Sequence, residues 1–373
     1  MSDYKPILRA NFINRRTGEV IADLPMANHI SLNLDMRQLS DTFDFDFMFR
    51  RDDSIDLRSH DFVEFFFKDD SGIPFQVAAG FIQTIATETG ANTHRYQANG
   101  NDFLGQLLNL PFLIAKPVDQ TTVLAFTNLC LSGGYLNTYL NYKGLQRSVV
   151  DRGIYPGTIQ IQELTDAKRG PVLQQTLSAI YNTIYQDRFG RAVIYGRDNR
   201  YDYDTDQILS EYDDANVESM QLRRDYSKVF SECKILYTGG AANVNYALQP
   251  SMKITNGDPD AADIFNPEIR TFQTSDLLTT PGNNEINNKM NALGASIIRQ
   301  SNQNLRQFVV KTNKPFFIDN KGTKTWYEKG QIFYIFNESQ TFYDEMMLCG
   351  IQYTQDAEKL SVQLMFIPVD SLI

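Results

Sequence analysis

From Ile30 to Phe49 apolar and other side chains alternate with a period of two. Ile30, Leu32, Leu34 and Met36 interleave with Ser31, Asn33, Asp35 and Arg37, and Phe43, Phe45, Phe47 and Phe49 with Thr42, Asp44, Asp46 and Met48. A β-strand sends successive side chains to opposite faces, so the pattern predicts two strands lying with one face on a core. Stretches 62–68, 75–86 and 94–98 continue it, separated by the turn residues Asp69-Asp70-Ser71-Gly72 and Thr89-Gly90-Ala91-Asn92. Five or more antiparallel strands joined by short turns predict a small barrel or sandwich over residues 1–101, taken here as a first β-barrel.

After Asn101 the period lengthens. Asp102 is suited to cap a short helix carrying Leu104, Leu107 and Leu108, and a second helix is expected over 121–131, stopped by Gly133-Gly134. A third begins at Pro171, puts Leu173, Leu177, Ile180 and Ile184 on one face, and is closed by Gly190, with 191–195 as the strand beneath it. Residues 102–214 therefore read as an α+β middle domain. Strands return at 220–225 and 231–237. Residues 239–284 are rich in Gly, Asn, Asp and Pro, lack a period and are too long for an ordinary connection, which predicts an extended arm. A polar helix over 284–303 leads into strands at 305–312, 326–327, 331–336, 346–353 and 360–367. The expected fold is mainly β with an α+β middle: two similar small antiparallel β-barrels flanking an α+β domain. The second barrel comprises 215–238 and 304–373, with an arm and helix inserted at 239–303.

The two ends resemble one another. Phe62-Val63-Glu64-Phe65-Phe66-Phe67 precedes Ala78-Ala79-Gly80-Phe81-Ile82-Gln83-Thr84, and Gln331-Ile332-Phe333-Tyr334-Ile335-Phe336 precedes Leu348-Cys349-Gly350-Ile351-Gln352-Tyr353-Thr354. Gly80 and Gly350 lie 270 residues apart, and each is followed within three positions by a glutamine, Gln83 or Gln352. Any two small antiparallel barrels share turn and strand lengths; duplication is the stronger reading. Three copies of a chain with two such modules would present six modules around a three-fold axis, a ring able to meet six-fold symmetry on one face and three-fold on the other.

Charge narrows the function. Of 373 residues, 45 are acidic and 35 basic, a net charge of −10 that argues against a protein that wraps nucleic acid by neutralising phosphates. Cys130, Cys233 and Cys349 are odd in number and sit in apolar stretches, so they read as reduced core residues. The first residues lack the regions of a signal peptide, and nowhere do 18 apolar residues run together; synthesis in a cytoplasm and no stable membrane insertion are expected.

No constellation carries chemistry. Asp202, Asp204 and Asp206 with Asp213 mimic a calcium loop, but such a loop needs glycine at its sixth position and glutamate at its twelfth, where Gln207 and Asp213 stand. They read instead as the polar face of a strand. His29, His60 and His94 have no ligand spacing, and Ser132-Gly133-Gly134 and Thr238-Gly239-Gly240 lack the lysine of a phosphate loop. No catalytic, cofactor-binding or metal residue is assigned, no cofactor is expected, and the chain is not expected to be an enzyme. Asp44 and Asp46, and more weakly Asp202 and Asp204, are candidates for lining a neutral or acidic channel; acidity that only keeps the subunit soluble is the alternative.

The run Thr325-Trp326-Tyr327-Glu328-Lys329-Gly330-Gln331, then Met346-Met347-Leu348-Cys349-Gly350-Ile351-Gln352-Tyr353, then 360–368, resembles the closing barrel of baseplate hub proteins from contractile-tailed phages of the Mu type, which are related in fold to T-even hubs. Arg224-Asp225-Tyr226-Ser227-Lys228-Val229-Phe230 leading into 233–237, and the helix, glycine turn and strand of 173–195, fit the same family. The resemblance implies a homotrimer in the virion baseplate that joins the tail tube protein to the central spike protein, contacts other baseplate proteins, and lets DNA pass without binding it specifically. A tail-tip cell-wall hydrolase and a distal-tail or receptor-binding protein are the competing readings.

Overall fold

The computed structural model describes residues 6–24, 27–50, 55–68, 72–114, 118–145, 149–152, 154, 158–161, 164–178, 180, 182–196, 204–214, 216–237, 251–261, 266–272, 283–302, 305–319 and 321–369. The first end supplies β1 (Arg9–Ile13), β2 (Val20–Leu24), β3 (His29–Asp35), β4 (Thr42–Arg50), β5 (Phe62–Lys68), β6 (Pro74–Thr89) and β7 (Thr93–Asn101). Their apolar positions turn inward as the alternation requires: Ile30, Leu32, Phe43, Phe45 and Phe47 are buried, whereas Thr42 and Asp44 are exposed.

The middle begins with a 3₁₀ turn, Phe103–Leu108, whose first free amide is met by Asp102: its carboxylate accepts from Gly105 N. There follow β8 (Pro111–Ile114), β9 (Val118–Thr122), α1 (Val123–Leu131), α2 (Tyr135–Tyr142), β10 (Val149–Arg152), β11 (Thr158–Ile161), β12 (Leu164–Lys168), α3 (Arg169–Ser178), β13 (Asn182–Gln186), β14 (Ala192–Gly196) and β15 (Asp204–Ser210). The helix expected from Pro171 to the Gly190 turn is thus shorter. α3 ends at Ser178, and Ile184 belongs to β13, which pairs with β14 through a turn where Gly190 holds φ +85°. Asn182-Thr183-Ile184-Tyr185 is β-branched and aromatic, and its pairing with Ala192–Gly196 outcompetes the helical period.

The remainder supplies β16 (Ser219–Arg223), β17 (Glu232–Tyr237), β18 (Ser251–Thr255), β19 (Pro267–Phe272), α4 (Asn283–Asn302), β20 (Gln307–Thr312), β21 (Phe316–Ile318), β22 (Lys324–Trp326), β23 (Ile332–Asn337), β24 (Phe342–Asp356) and β25 (Lys359–Pro368). Part of the stretch expected as an extended arm is ordered sheet: β17 pairs antiparallel with β18 and parallel with β19. Cys233 and Ile235 of β17 bury against Met290 and Ile298 of α4. β17 therefore leaves the second end and joins the insertion.

The fold is mainly β. Rather than forming two separate sheets, the ends merge into one of thirteen strands, in the order β16-β20-β25-β24-β3-β4-β7-β6-β5-β1-β2, with β23 on β24 and β15 on β23. The seam is β3 against β24, in register from Gly350 opposite Asp35 to Asp356 opposite His29. One apolar core runs beneath both ends, from Phe12, Phe45 and Phe65 to Phe333, Tyr353 and Leu364. The middle domain packs on both sides of that seam. Phe103, Phe126, Leu136 and Leu173 bury with Phe62 and Phe81, and Tyr185, Val193 and Tyr195 bury with Ile332, Met347 and Ile367.

Candidate assembly surface

Each end contains a five-strand unit with the same connectivity. β3, β4, β5, β6 and β7 pair in the order β3-β4-β7-β6-β5; β16, β20, β23, β24 and β25 pair in the order β16-β20-β25-β24-β23. Every pairing within both units is antiparallel. The long strands β6 and β24 each serve two neighbours. β5 covers the first half of β6 and β7 its second half, and β23 covers the first half of β24. The second half of β24 has β25 on one side and β3 on the other.

The ladders fix how the units correspond. Phe81 lies opposite both Phe62 and Asn101, and Met347 lies opposite both Ile332 and Ile367. Each of these positions is followed closely by a bulge, between Ile82 and Thr84 on β6 and between Leu348 and Gly350 on β24. In this register Gly350 corresponds to Thr84, and Gly80, opposite Val63, corresponds to Met346. Gln83 is the residue skipped at the bulge, while Gln352 pairs with Gln363 and Asn33; both glutamines are exposed.

The sheet face away from the core is polar and of mixed charge. Asp44 and Asp46 lie on it, their side chains 57% and 17% exposed. Neither stands alone. The Arg95 guanidinium reaches Asp46, its Nε donating to Oδ1 at 3.0 Å, and holds that carboxyl below the usual carboxylate range. His29 bridges Asp356 (Nδ1 to Oδ1, 2.6 Å) and Asp44 (Nε2 to Oδ1, 3.2 Å) across the seam. Partial burial works against the charged ring, but the hydrogen bond to Asp356 and the two negative charges prevail, and the His29 pKa is raised. His29, Asp44 and Asp46, with Thr84, Ile85, Ala86, Gln97 and Asn99, border an open groove of about 490 Å³ that reaches the second half of β6. Asp202 lies outside the described residues, and Asp204 opens β15, opposite Ile332.

Two features went unread in the sequence. One is a buried cluster at the seam: Lys329 Nζ donates to Asp41 Oδ2 at 2.5 Å, and Ser40 Oγ donates to Asp102 Oδ1 at 3.0 Å. A lysine within Tyr327-Glu328-Lys329-Gly330-Gln331, beside two large buried strands, was its only local signal. The other is the far half of β6, foreshadowed by the threonine-rich run Thr84-Ile85-Ala86-Thr87-Glu88-Thr89, which carries the strand past the expected end at 86. The three cysteines are buried thiols, and burial pushes those of Cys130 and Cys349 up to about 12. Among the described residues, no group of three His, Cys, Asp or Glu side chains is set to hold a metal ion, and no helix is long and apolar enough to cross a membrane.

No protein-family model and no curated protein matches the sequence. Solved structures do match its fold. A 43 kDa tail protein of prophage MuSo2 from Shewanella oneidensis superposes with a TM-score of 0.72 at 13% identity, over 98% of this chain and 99% of that one. A tail protein from Neisseria meningitidis MC58 gives 0.69 at 15% identity, over 99% of both chains. A chain of the Francisella PdpA–VgrG complex gives 0.53 at 8% identity, over 98% of this chain and 58% of that one. The chain thus shares, over nearly its whole length, the fold of prophage tail proteins.

Proposed function

We propose that the chain is a structural component of a phage-type tail baseplate: a homotrimeric hub that adapts the six-fold tail tube to a three-fold central spike. The observation that carries the reading is the pair of five-strand units of identical connectivity joined edge to edge in one chain. Three such chains offer six quasi-equivalent units to one neighbour and three whole subunits to another. The full-length likeness to two tail proteins supports the setting, and the likeness to a chain of a VgrG complex supports a spike-side partner. On this reading the protein is made in the host cytoplasm and ends in the virion tail, contacting tube, spike and other baseplate proteins.

The polar outer face of the sheet is the lining proposed for the DNA channel. Arg95 and His29 only partly offset Asp44, Asp46 and Asp356, so this stretch of the lining is acidic rather than basic. A wall of paired charges gives phosphates little net attraction, which suits passage without specific binding. Light scattering on the purified protein tests the assembly: a mass three times that of the 42.6 kDa chain is expected, and a monomer at every concentration overturns the hub reading.

A further inference from the structure

A small cavity of about 40 Å³ lies where the three parts of the chain meet. The seam contributes Tyr353 of β24, the first end Phe75 of β6, the turn before β23 Tyr327 and Glu328, and the middle domain Arg188, in the turn between β13 and β14. The Arg188 guanidinium lies flat between two rings, 4.0 Å from the centre of Phe75 and 4.5 Å from that of Phe189, and its Nη1 is 3.4 Å from Glu328 Oε1. Phe75 and Arg188 also border a wider groove open to solvent.

The lining carries polar atoms that the chain itself leaves unanswered. Tyr353 is 0% exposed and Tyr327 2%, and neither hydroxyl has a hydrogen-bond partner within the chain; the same holds for Arg188 Nε. Both rings are fixed by packing, Tyr353 against Phe67 with centroids 5.5 Å apart and Tyr327 against Phe317 at 5.4 Å, so neither hydroxyl can swing to a partner elsewhere. Both phenols keep their protons. Burial pushes each pKa up, and a nearby carboxylate, Glu328 for Tyr353 and Asp213 for Tyr327, pushes it further. Polar groups withdrawn from water without a compensating hydrogen bond cost stability, and buried ones are paired with protein or with ordered water.

We propose that this cavity is a binding site for a cluster of ordered water, which accepts from the hydroxyls of Tyr353 and Tyr327 and from Arg188 Nε, donates to the Glu328 carboxylate, and so joins the middle domain to the seam. One water needs about 10–15 Å³ of such space, so a cavity of about 40 Å³ holds about two or three and is too small for a larger ligand. Water suits the lining better than an ion does. An anion would face the carboxylates of Glu328 and Asp187, and a cation would face Arg188 and Lys329. Asp187 already has its counter-ion in Arg191, and Lys329 has its own in Asp41, so an added ion would be buried without one. Water both donates and accepts, and a bridging water holds two groups almost as well as a direct bond. The site belongs to a single chain and does not depend on the hub reading.

The sign of a stability change tests it in solution. Tyr353→Phe keeps the ring and removes only the hydroxyl. If water answers that hydroxyl, the variant loses a hydrogen bond, and the melting temperature of the full chain should fall by about 1–2 °C for a protein of this length. If the cavity is dry, the variant removes an unanswered polar group and the melting temperature should rise. A rise, or no change, overturns the proposal. Tyr327→Phe should lower the melting temperature likewise, and because the two hydroxyls share one cluster, the double variant should lose less than the two single losses added together; strict additivity overturns the shared cluster. A high-resolution crystal structure of the full chain gives the direct readout, with a water oxygen expected about 2.5–3.0 Å from Tyr353 Oη. Crystals pressurised with xenon, which enters dry apolar cavities, should show none at this place, and crystals soaked in bromide should show no anomalous peak there. Xenon in the cavity, bromide in the cavity, or no density within hydrogen-bond reach of Tyr353 each overturns the assignment of water.

Discussion

Lys329 and Asp41, 288 residues apart, meet as a buried ion pair at the seam between the two ends of the chain, with Nζ 2.5 Å from Oδ2. The other oxygen of Asp41 accepts from the Asp35 amide at 2.8 Å, so the carboxylate ties the loop between β3 and β4 to the turn before β23. Burial raises the Asp41 pKa, and the adjacent ammonium counters it. Removing one partner leaves a charge with no water to hold it. Lys329→Met is expected to cost about 3 kcal/mol of unfolding free energy in urea, whereas Lys329→Met/Asp41→Asn recovers most of that loss. Equal losses in the single and double variants would mean that the lysine contributes through packing alone.

Asp102 lies beside this pair, and its burial, with Asp41 nearby, pushes its pKa up to about 7. Its Oδ2 is buried without a hydrogen-bond partner, as suits a carboxyl that keeps its proton. In the unfolded chain the group titrates near 3.8, so the folded state binds a proton that the unfolded state releases. The stabilisation is complete below that value and is lost as pH rises to about 7. Asp102→Asn retains an oxygen for the Gly105 amide and should flatten the fall in melting temperature between pH 5 and pH 8. An unchanged slope would assign the pH dependence to other groups.

The two glycines that drew attention to the repeat should respond differently to substitution. A Cβ on Gly80 would lie 2.3 Å from the Asn101 carbonyl oxygen and 2.8 Å from the Phe43 ring, whereas one on Gly350 would meet nothing nearer than 3.4 Å. Gly80→Ala is expected to cost about 2 kcal/mol by forcing β6 away from β7. Gly350→Ala should melt within about 0.5 kcal/mol of the parent. Equal effects in chemical denaturation would contradict the close approach at Gly80.

This asymmetry marks where the sequence was legible. Alternation revealed β3 and β4 and their buried faces, because which side a residue faces is written in its immediate neighbours. It could not reveal that β3 pairs with β24, since partner choice depends on the whole sheet and neither strand's pattern names the other. The likeness of the ends was visible, but the shared glycine suggested a spacing of 270, while the ladders align Phe81 with Met347, 266 apart. A bulge inserts a residue without disturbing the alternation on either side. β18 and β19 escaped notice for another reason: β17 organises both, one of them in parallel, across long polar connections.

His29 gives the seam between β3 and β24 a pH-sensitive contact. Its ring bridges Asp356 on β24 and Asp44 on β4, and its raised pKa means that the folded state holds the extra proton more tightly. The contribution is complete below the ordinary histidine value of 6.5 and is lost as pH rises through the folded value. Proton NMR should therefore give His29 a pKa above 6.5, falling in Asp356→Asn, and the stability difference between the parent and His29→Gln should be larger at pH 5.5 than at pH 8. An equal difference at the two pH values would assign the pH dependence of the seam to other groups.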